Sequence, residues 1–103
     1  MDTWQPVTKK ELDALVASQL ADCAPKQREL FERYKIAPHL VAIDRQGKTE
    51  TVFVVAKAGD MVLYYEDVEE GFNLSPLSHD GSIASPGYEQ WELRHALGQL
   101  VAA

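Results

Sequence analysis

The sequence has little of what most catalytic and metal sites are made of. One cysteine, Cys23, stands in 103 residues, so no intramolecular disulfide can form and no second thiolate is at hand for zinc. The three histidines, His39, His79 and His95, show neither His-x-x-His nor Glu-x-x-His spacing, and each reads as a surface or rim residue. No glycine-rich phosphate loop, nucleophile elbow or dinucleotide fingerprint is present. No apolar run approaches the roughly 18 residues of a membrane span. The first residues, Met1-Asp2-Thr3-Trp4-Gln5-Pro6, carry no basic or apolar leader pattern. The last four, Leu100-Val101-Ala102-Ala103, carry no lipidation or retention signal. Together with the lone cysteine, these features lead us to expect a cytoplasmic location. The sequon Asn73-Leu74-Ser75 then has no meaning as a glycosylation site.

Positive charge is also scarce, and its scarcity is local. Residues 1–59 hold 9 Lys+Arg against 8 Asp+Glu, whereas residues 60–103 hold Arg94 alone against 8 acids. The net charge of −6 therefore belongs to the second half. A field of that sign repels nucleic acid and anionic lipid, whose binding rests on Lys/Arg contacts. It attracts a basic protein surface or a cation. The plainer reading is solubility, which a negative surface also provides.

Hydrophobic residues make up 46% and charged residues 25% of the chain, ordinary values for a globular protein. A chain of 103 residues fits one domain and can bury one core without metal or disulfide staples.

Thr8-Lys9-Lys10-Glu11 is a capping box, flanked by Val7 and Leu12 at the positions of a hydrophobic staple. Leu12, Leu15, Val16, Leu20 and Cys23 follow with helical spacing, which predicts a helix over 9–22. Pro25 then interrupts and fits the first position of a second helix over 25–35. Because Ala24 is a poor cap, a single kinked helix stays open as the alternative. Pro38 biases Ala37 away from helix and closes the segment.

From there the pattern is that of strands. Leu40-Val41-Ala42-Ile43 is an apolar run and Arg45-Gln46-Gly47-Lys48 a turn. Thr51-Val52-Phe53-Val54-Val55-Ala56 is the strongest strand signal in the chain. Ala58-Gly59-Asp60 makes a tight hairpin, and Met61-Val62-Leu63-Tyr64-Tyr65 is the third strand. Phe72-Asn73-Leu74 is a candidate fourth. Such short connections require antiparallel pairing. Residues 75–87, rich in Ser, Pro and Gly, read as a loop. Ser85 and Pro86 read as the N-cap and first position of a last helix, with Leu93, Ala96, Leu97 and Leu100 as its apolar stripe and Trp91 and Val101 beside them. The expected fold is α+β: two N-terminal helices, an antiparallel three- to four-stranded meander, and a C-terminal helix packed on the sheet, all in a single domain over 1–103.

Two strands are apolar on both faces. Val52, Val54 and Ala56 are expected on one side of the second strand and Phe53 and Val55 on the other. In the third, Met61, Leu63 and Tyr65 oppose Val62 and Tyr64. A sheet with one wet face would alternate, so either helices cover both faces or a partner does. A homodimer through a sheet face follows as one expectation.

Four carboxylates fall within five positions at Glu66-Asp67-Val68-Glu69-Glu70. They do not follow the EF-hand spacing. They read either as a solvated connection or as an electrostatic hook for a basic partner. Tyr64-Tyr65 precedes them, and on a strand one of the two points outward, where it would serve as an interface anchor. Ser78-His79-Asp80 resembles a triad in name only, since neighbouring residues point in different directions. His79-Asp80-Gly81-Ser82 reads as a turn with Asp80 bonding the backbone and Gly81 at positive φ. Trp91 is expected in the core of the last helix, Trp4 over the first cap, and Cys23 as an inert core thiol.

The stretch Gly59-Asp60-Met61-Val62-Leu63-Tyr64-Tyr65-Glu66-Asp67-Val68-Glu69-Glu70-Gly71-Phe72-Asn73 resembles small bacterial proteins, acidic immunity proteins of bacterial toxin systems among them. The resemblance covers 15 of 103 residues, includes no catalytic motif, and implies a binding module.

The leading expectation is thus a non-enzymatic protein-binding or regulatory module without cofactor or metal. It would use Tyr64, Tyr65, Glu66, Asp67, Glu69 and Glu70 to hold a basic protein partner. The alternative is a small-ligand-binding domain or enzyme with a pocket between sheet and helices near residues 79–95, built on Tyr65, His79, Asp80 and His95.

Overall fold

A computed structural model of the chain describes residues 7–45, 47–66, 70–87 and 89–102. Trp4, Asp67 and Glu69 lie outside them, and so do the expectations that fall on those residues.

The first helix, α1, spans Lys9–Ala21. Its capping box forms as the sequence predicts: the Glu11 N–H donates to Thr8 Oγ1 at 3.1 Å and the Thr8 N–H to Glu11 Oε1 at 3.0 Å. Val7 and Leu12 meet in one core cluster, which closes the staple. The second helix, α2, spans Pro25–Tyr34. Ala24 offers no side-chain cap, but Gln27 Oε1 accepts its N–H at 2.9 Å. The chain therefore makes two helices and not one kinked helix.

Four strands follow, β1 Lys35–Arg45, β2 Lys48–Ala58, β3 Met61–Glu66 and β4 Gly71–Pro76. They pair antiparallel in chain order, β1-β2-β3-β4, so the meander has its fourth strand. Pro38 does not separate helix from strand as expected. The strand begins at once after α2, and Pro38 sits within β1 where the register with β2 shifts between Lys35 and His39. An edge strand tolerates this, because the missing N–H would point away from the ladder.

A second irregularity lies between Val54 and Ala56 in the pairing of β2 with β3. The extra residue puts Val55 and Ala56 on the same face. Ala56 therefore packs with Leu12, Phe31, Leu63 and Phe72 against the helices, and not with Val52 and Val54 as strict alternation predicts.

The last helix, α3, spans Leu93–Ala102 and starts later than Ser85-Pro86 signalled. The reason is competition for backbone groups. Ser75 Oγ donates to the Ser85 carbonyl at 2.8 Å and the Gly87 N–H donates to the Tyr64 hydroxyl at 2.8 Å. The Phe72 N–H donates to the Trp91 carbonyl at 2.9 Å. Residues 85–87 and 89–91 are thus drawn along the sheet, and their bonds leave no i→i−4 ladder. Trp91, expected on the helix, is instead half-buried and bridged to Phe72. The apolar stripe holds: Leu93, Ala96, Leu97 and Leu100 are all buried. Gln19 Oε1 of α1 accepts the Leu93 N–H at 2.6 Å, which satisfies one of the orphan donors that open α3.

The two-sided apolarity of β2 and β3 now has its explanation. The helices cover one face. On the other, Val41, Ile43, Val52, Val54, Val62 and Tyr64 pack around Ile83, which is fully buried. Ile83 comes from the connection after β4, residues 77–87. That segment crosses the sheet to its far edge, where the Ile83 N–H donates to the Ala42 carbonyl at 2.8 Å and the Asp44 N–H to the Ile83 carbonyl at 2.9 Å. The chain covers its own second face with a strap rather than with helices.

Candidate partner interface

Two of the six expected contact residues are interior. Tyr64 is fully buried. Its hydroxyl accepts the Gly87 N–H and lies 3.0 Å from Ser75 Oγ. Because Ser75 Oγ donates to the Ser85 carbonyl, the Tyr64 hydroxyl is the donor in that pair. Glu66 is 1% exposed and bonded to Arg45, whose guanidinium is also 3.8 Å from Glu50. The Glu66 hydrogen bond holds the Arg45 pKa above its ordinary value. Neither Tyr64 nor Glu66 can touch a partner docked on the folded surface, and both leave the expected interface for that reason. The cause is legible in the geometry: Glu66 faces the same side as Arg45, and burial of the two together requires pairing.

Tyr65 is half-buried, its ring edge-on to Phe72 with centroids 5.1 Å apart and planes at 62°. Glu70 is exposed, at φ 55°.

Other acidic residues of the second half are exposed near the start of β4. Gly71 passes so close to the 89–91 segment that a Cβ on it would lie 2.5 Å from the Gln90 Cα. That approach brings the 89–92 stretch against the start of β4, and Glu70, Glu89 and Glu92 are all exposed. Asn73 fixes the segment in place: its Nδ2 donates to the Glu89 carbonyl at 2.8 Å, and its Oδ1 accepts the Glu89 N–H at 2.7 Å. Gly87 lies just as close, since a Cβ there would meet Asn73 Oδ1 at 2.7 Å. Arg94 offsets one charge through a 3.2 Å surface contact with Glu92. Sequence reading missed Glu89 and Glu92 because it placed them on a helix. The signal that could have found them is Asn73, a polar residue in an apolar strand that needed a backbone partner.

The alternative group does not assemble. His79 lines a shallow depression of about 450 Å³ with Lys57, Asp60, Leu77, Ser78 and Gly81, and none of Tyr65, Asp80 or His95 joins it. Asp80 Oδ1 accepts from the Ser82 N–H at 3.0 Å and from Ser82 Oγ at 2.6 Å. These bonds hold the Asp80 carboxyl below its ordinary value. Gly81 has φ 81°, so the 78–82 segment is the turn the sequence describes. His95 is exposed on α3.

A pocket between sheet and helices does exist, but beside β1, and none of Tyr65, His79, Asp80 or His95 lines it. It is a half-open groove of about 160 Å³ lined by Asp13, Val16, Phe31, Lys35, Ile36, Pro38 and Val55. Cys23 is 4% exposed, gives its thiol proton to the Gln19 carbonyl at 3.4 Å, and has its pKa raised by burial. Among the described residues, no three His, Cys, Asp or Glu stand where they could hold a metal ion, and no helix is long and apolar enough to cross a membrane.

No family model, curated protein or solved structure matches this chain.

Proposed function

We propose that this chain is a non-enzymatic protein-binding module that holds a basic protein surface against its β4 edge. The observation that carries the reading is that the exposed residues Glu70, Glu89 and Glu92 belong to two stretches held against each other at this edge, where Arg94 offsets Glu92. Trp91, half-buried and next to Glu92 in the chain, and Tyr65, half-buried on the neighbouring strand, are suitable anchors. The mounting matters as much as the charge. Asn73 and the Gly71–Gln90 approach tie two stretches distant in sequence into one surface, so little ordering is required on binding. Carboxylates on an exposed rim act mainly through association rate and partner choice. Their effect fades as salt shortens the Debye length, about 10 Å at 0.1 M.

The test is affinity capture from host lysate with wild type and the triple variant Glu70→Lys, Glu89→Lys, Glu92→Lys. A second triple variant, Asp22→Lys, Glu29→Lys, Glu32→Lys, makes the same charge change on exposed helix positions. A basic protein retained by wild type and by the helix variant, and lost from the β4-edge variant and at high salt, supports the proposal. Equal retention by both variants, or no basic protein retained, overturns it.

A further inference from the structure

We infer that the helix-bearing face at β1 is where two copies of this chain meet. Leu40 is the exposed large hydrophobic among the described residues, at 57%. It stands opposite Phe53 in the register, so its side chain lies on the helix side of the sheet. The helices lean on β2, β3 and β4 and leave β1 at the margin of their cover. The groove of about 160 Å³ opens on the same side, and Pro38, two residues from Leu40, is part of its wall with Val16, Phe31 and Val55.

One surface therefore carries both an apolar protrusion and an apolar hole. A hole of this size holds a group as large as a benzene ring, so a leucine side chain fits it. A twofold axis that places Leu40 of each copy at the groove of the other satisfies both at once, as an isologous interface requires. The rim charges suit the same operation. Asp13 and Lys35, of opposite sign, border the groove, and each is otherwise held only by a half-exposed surface pair, with Lys9 and Glu32 respectively. Such pairs contribute little and exchange readily. A strongly acidic or basic partner would find no field of one sign here, whereas a second copy presents the matching pair.

The contact is face to face, and not a continuation of the sheet. Pro38 supplies no N–H, the register shifts between Lys35 and His39, and Ile83 already bonds Ala42 and Asp44 on the outer edge. Each of these blunts an edge strand. Because β1 and β4 are opposite edges, such a dimer leaves both acidic edges outward and presents them as a bivalent surface.

Sedimentation velocity on the full chain over a wide concentration range tests this, with Leu40→Asp and Val16→Glu as separate variants checked for folding by circular dichroism. We expect wild type to double in mass as concentration rises and folded Leu40→Asp or Val16→Glu to stay monomeric. Salt separates this inference from the proposed function. Both copies carry −6, so added salt strengthens self-association and weakens capture of a basic protein. A wild type that stays monomeric at every concentration overturns the inference, whether or not a small apolar molecule enters the groove. So does a dimer that persists in folded Leu40→Asp.

Discussion

The side-chain amide of Asn73 does for Glu89 what a neighbouring strand would do: it donates to the carbonyl at 2.8 Å and accepts from the N–H at 2.7 Å. A fully buried polar side chain is thus satisfied in the sheet while it secures a segment 16 residues away. Asn73→Ala removes both partners at once. An unsatisfied buried polar group costs about 1–3 kcal/mol, so urea denaturation should show a loss in that range. Amide exchange should quicken over residues 87–91 before it does in β2.

Gly71 and Glu70 are neighbours with opposite expected responses. A methyl group at Gly71 would press on the Gln90 backbone, at 2.5 Å from its Cα, and backbone cannot swing aside. Gly71→Ala should cost about 1–3 kcal/mol, as overpacking does. Glu70 has φ 55°, a conformation that costs a non-glycine residue about 1–2 kcal/mol. Part of that gain is lost to the greater freedom of an unfolded glycine, so Glu70→Gly should stabilise modestly. Thermal melts of the two variants beside wild type check both signs.

Arg45 and Glu66 form an ion pair with 14% and 2% of their side-chain surfaces exposed. Removing Glu66 leaves the largely buried Arg45 with the longer contact to half-exposed Glu50. Glu66→Ala should therefore cost about 3–5 kcal/mol, while the double replacement Arg45→Met, Glu66→Leu should come close to wild type. Urea denaturation of the two variants beside wild type measures the difference.

Acid should loosen the two local caps. The Glu11 carboxyl is held below its ordinary value of 4.5 by the backbone and side chain of Thr8, and Asp80 below its ordinary 3.8 by Ser82. A depressed carboxyl contributes stability that is fully present above its unfolded pKa and is lost as pH falls through the folded one. The melting temperature should decline on acidification below about 4.5. Glu11→Gln, which can still accept the Thr8 N–H, should flatten that decline. A variant with unchanged acid dependence would show that Glu11 contributes none of it.

Most of the fold is legible in the sequence because its signals are local. Thr8, Glu11, Val7 and Leu12 define the first helix start within six positions. Gly59 marks the hairpin between two strands whose apolar residues point to both faces. What local signals could not convey is competition. Ser85-Pro86 is a sound helix start in isolation, but Tyr64, Asn73 and Ser75 claim the backbone of Ser85, Gly87 and Glu89 for the sheet. The same competition displaced Trp91 and hid Glu89 and Glu92. The acidity of the second half was visible as composition, but its arrangement was not. Glu66 sits among apparent hook residues, and its burial depends on Arg45, 21 positions earlier. The bulge at Val54/Ala56 likewise leaves no mark in a run of β-branched and small residues.

The most direct test of the acidic-edge account is a nitrogen–proton correlation spectrum of the chain titrated with a lysine-rich peptide. The account predicts that shifts concentrate at Glu70, Gly71, Glu89, Gln90 and Glu92, fade with salt, and vanish in the Glu70→Lys, Glu89→Lys, Glu92→Lys variant. Shifts spread evenly to Asp44, Glu50, Asp60 and Asp80, or no shifts at all, would contradict it.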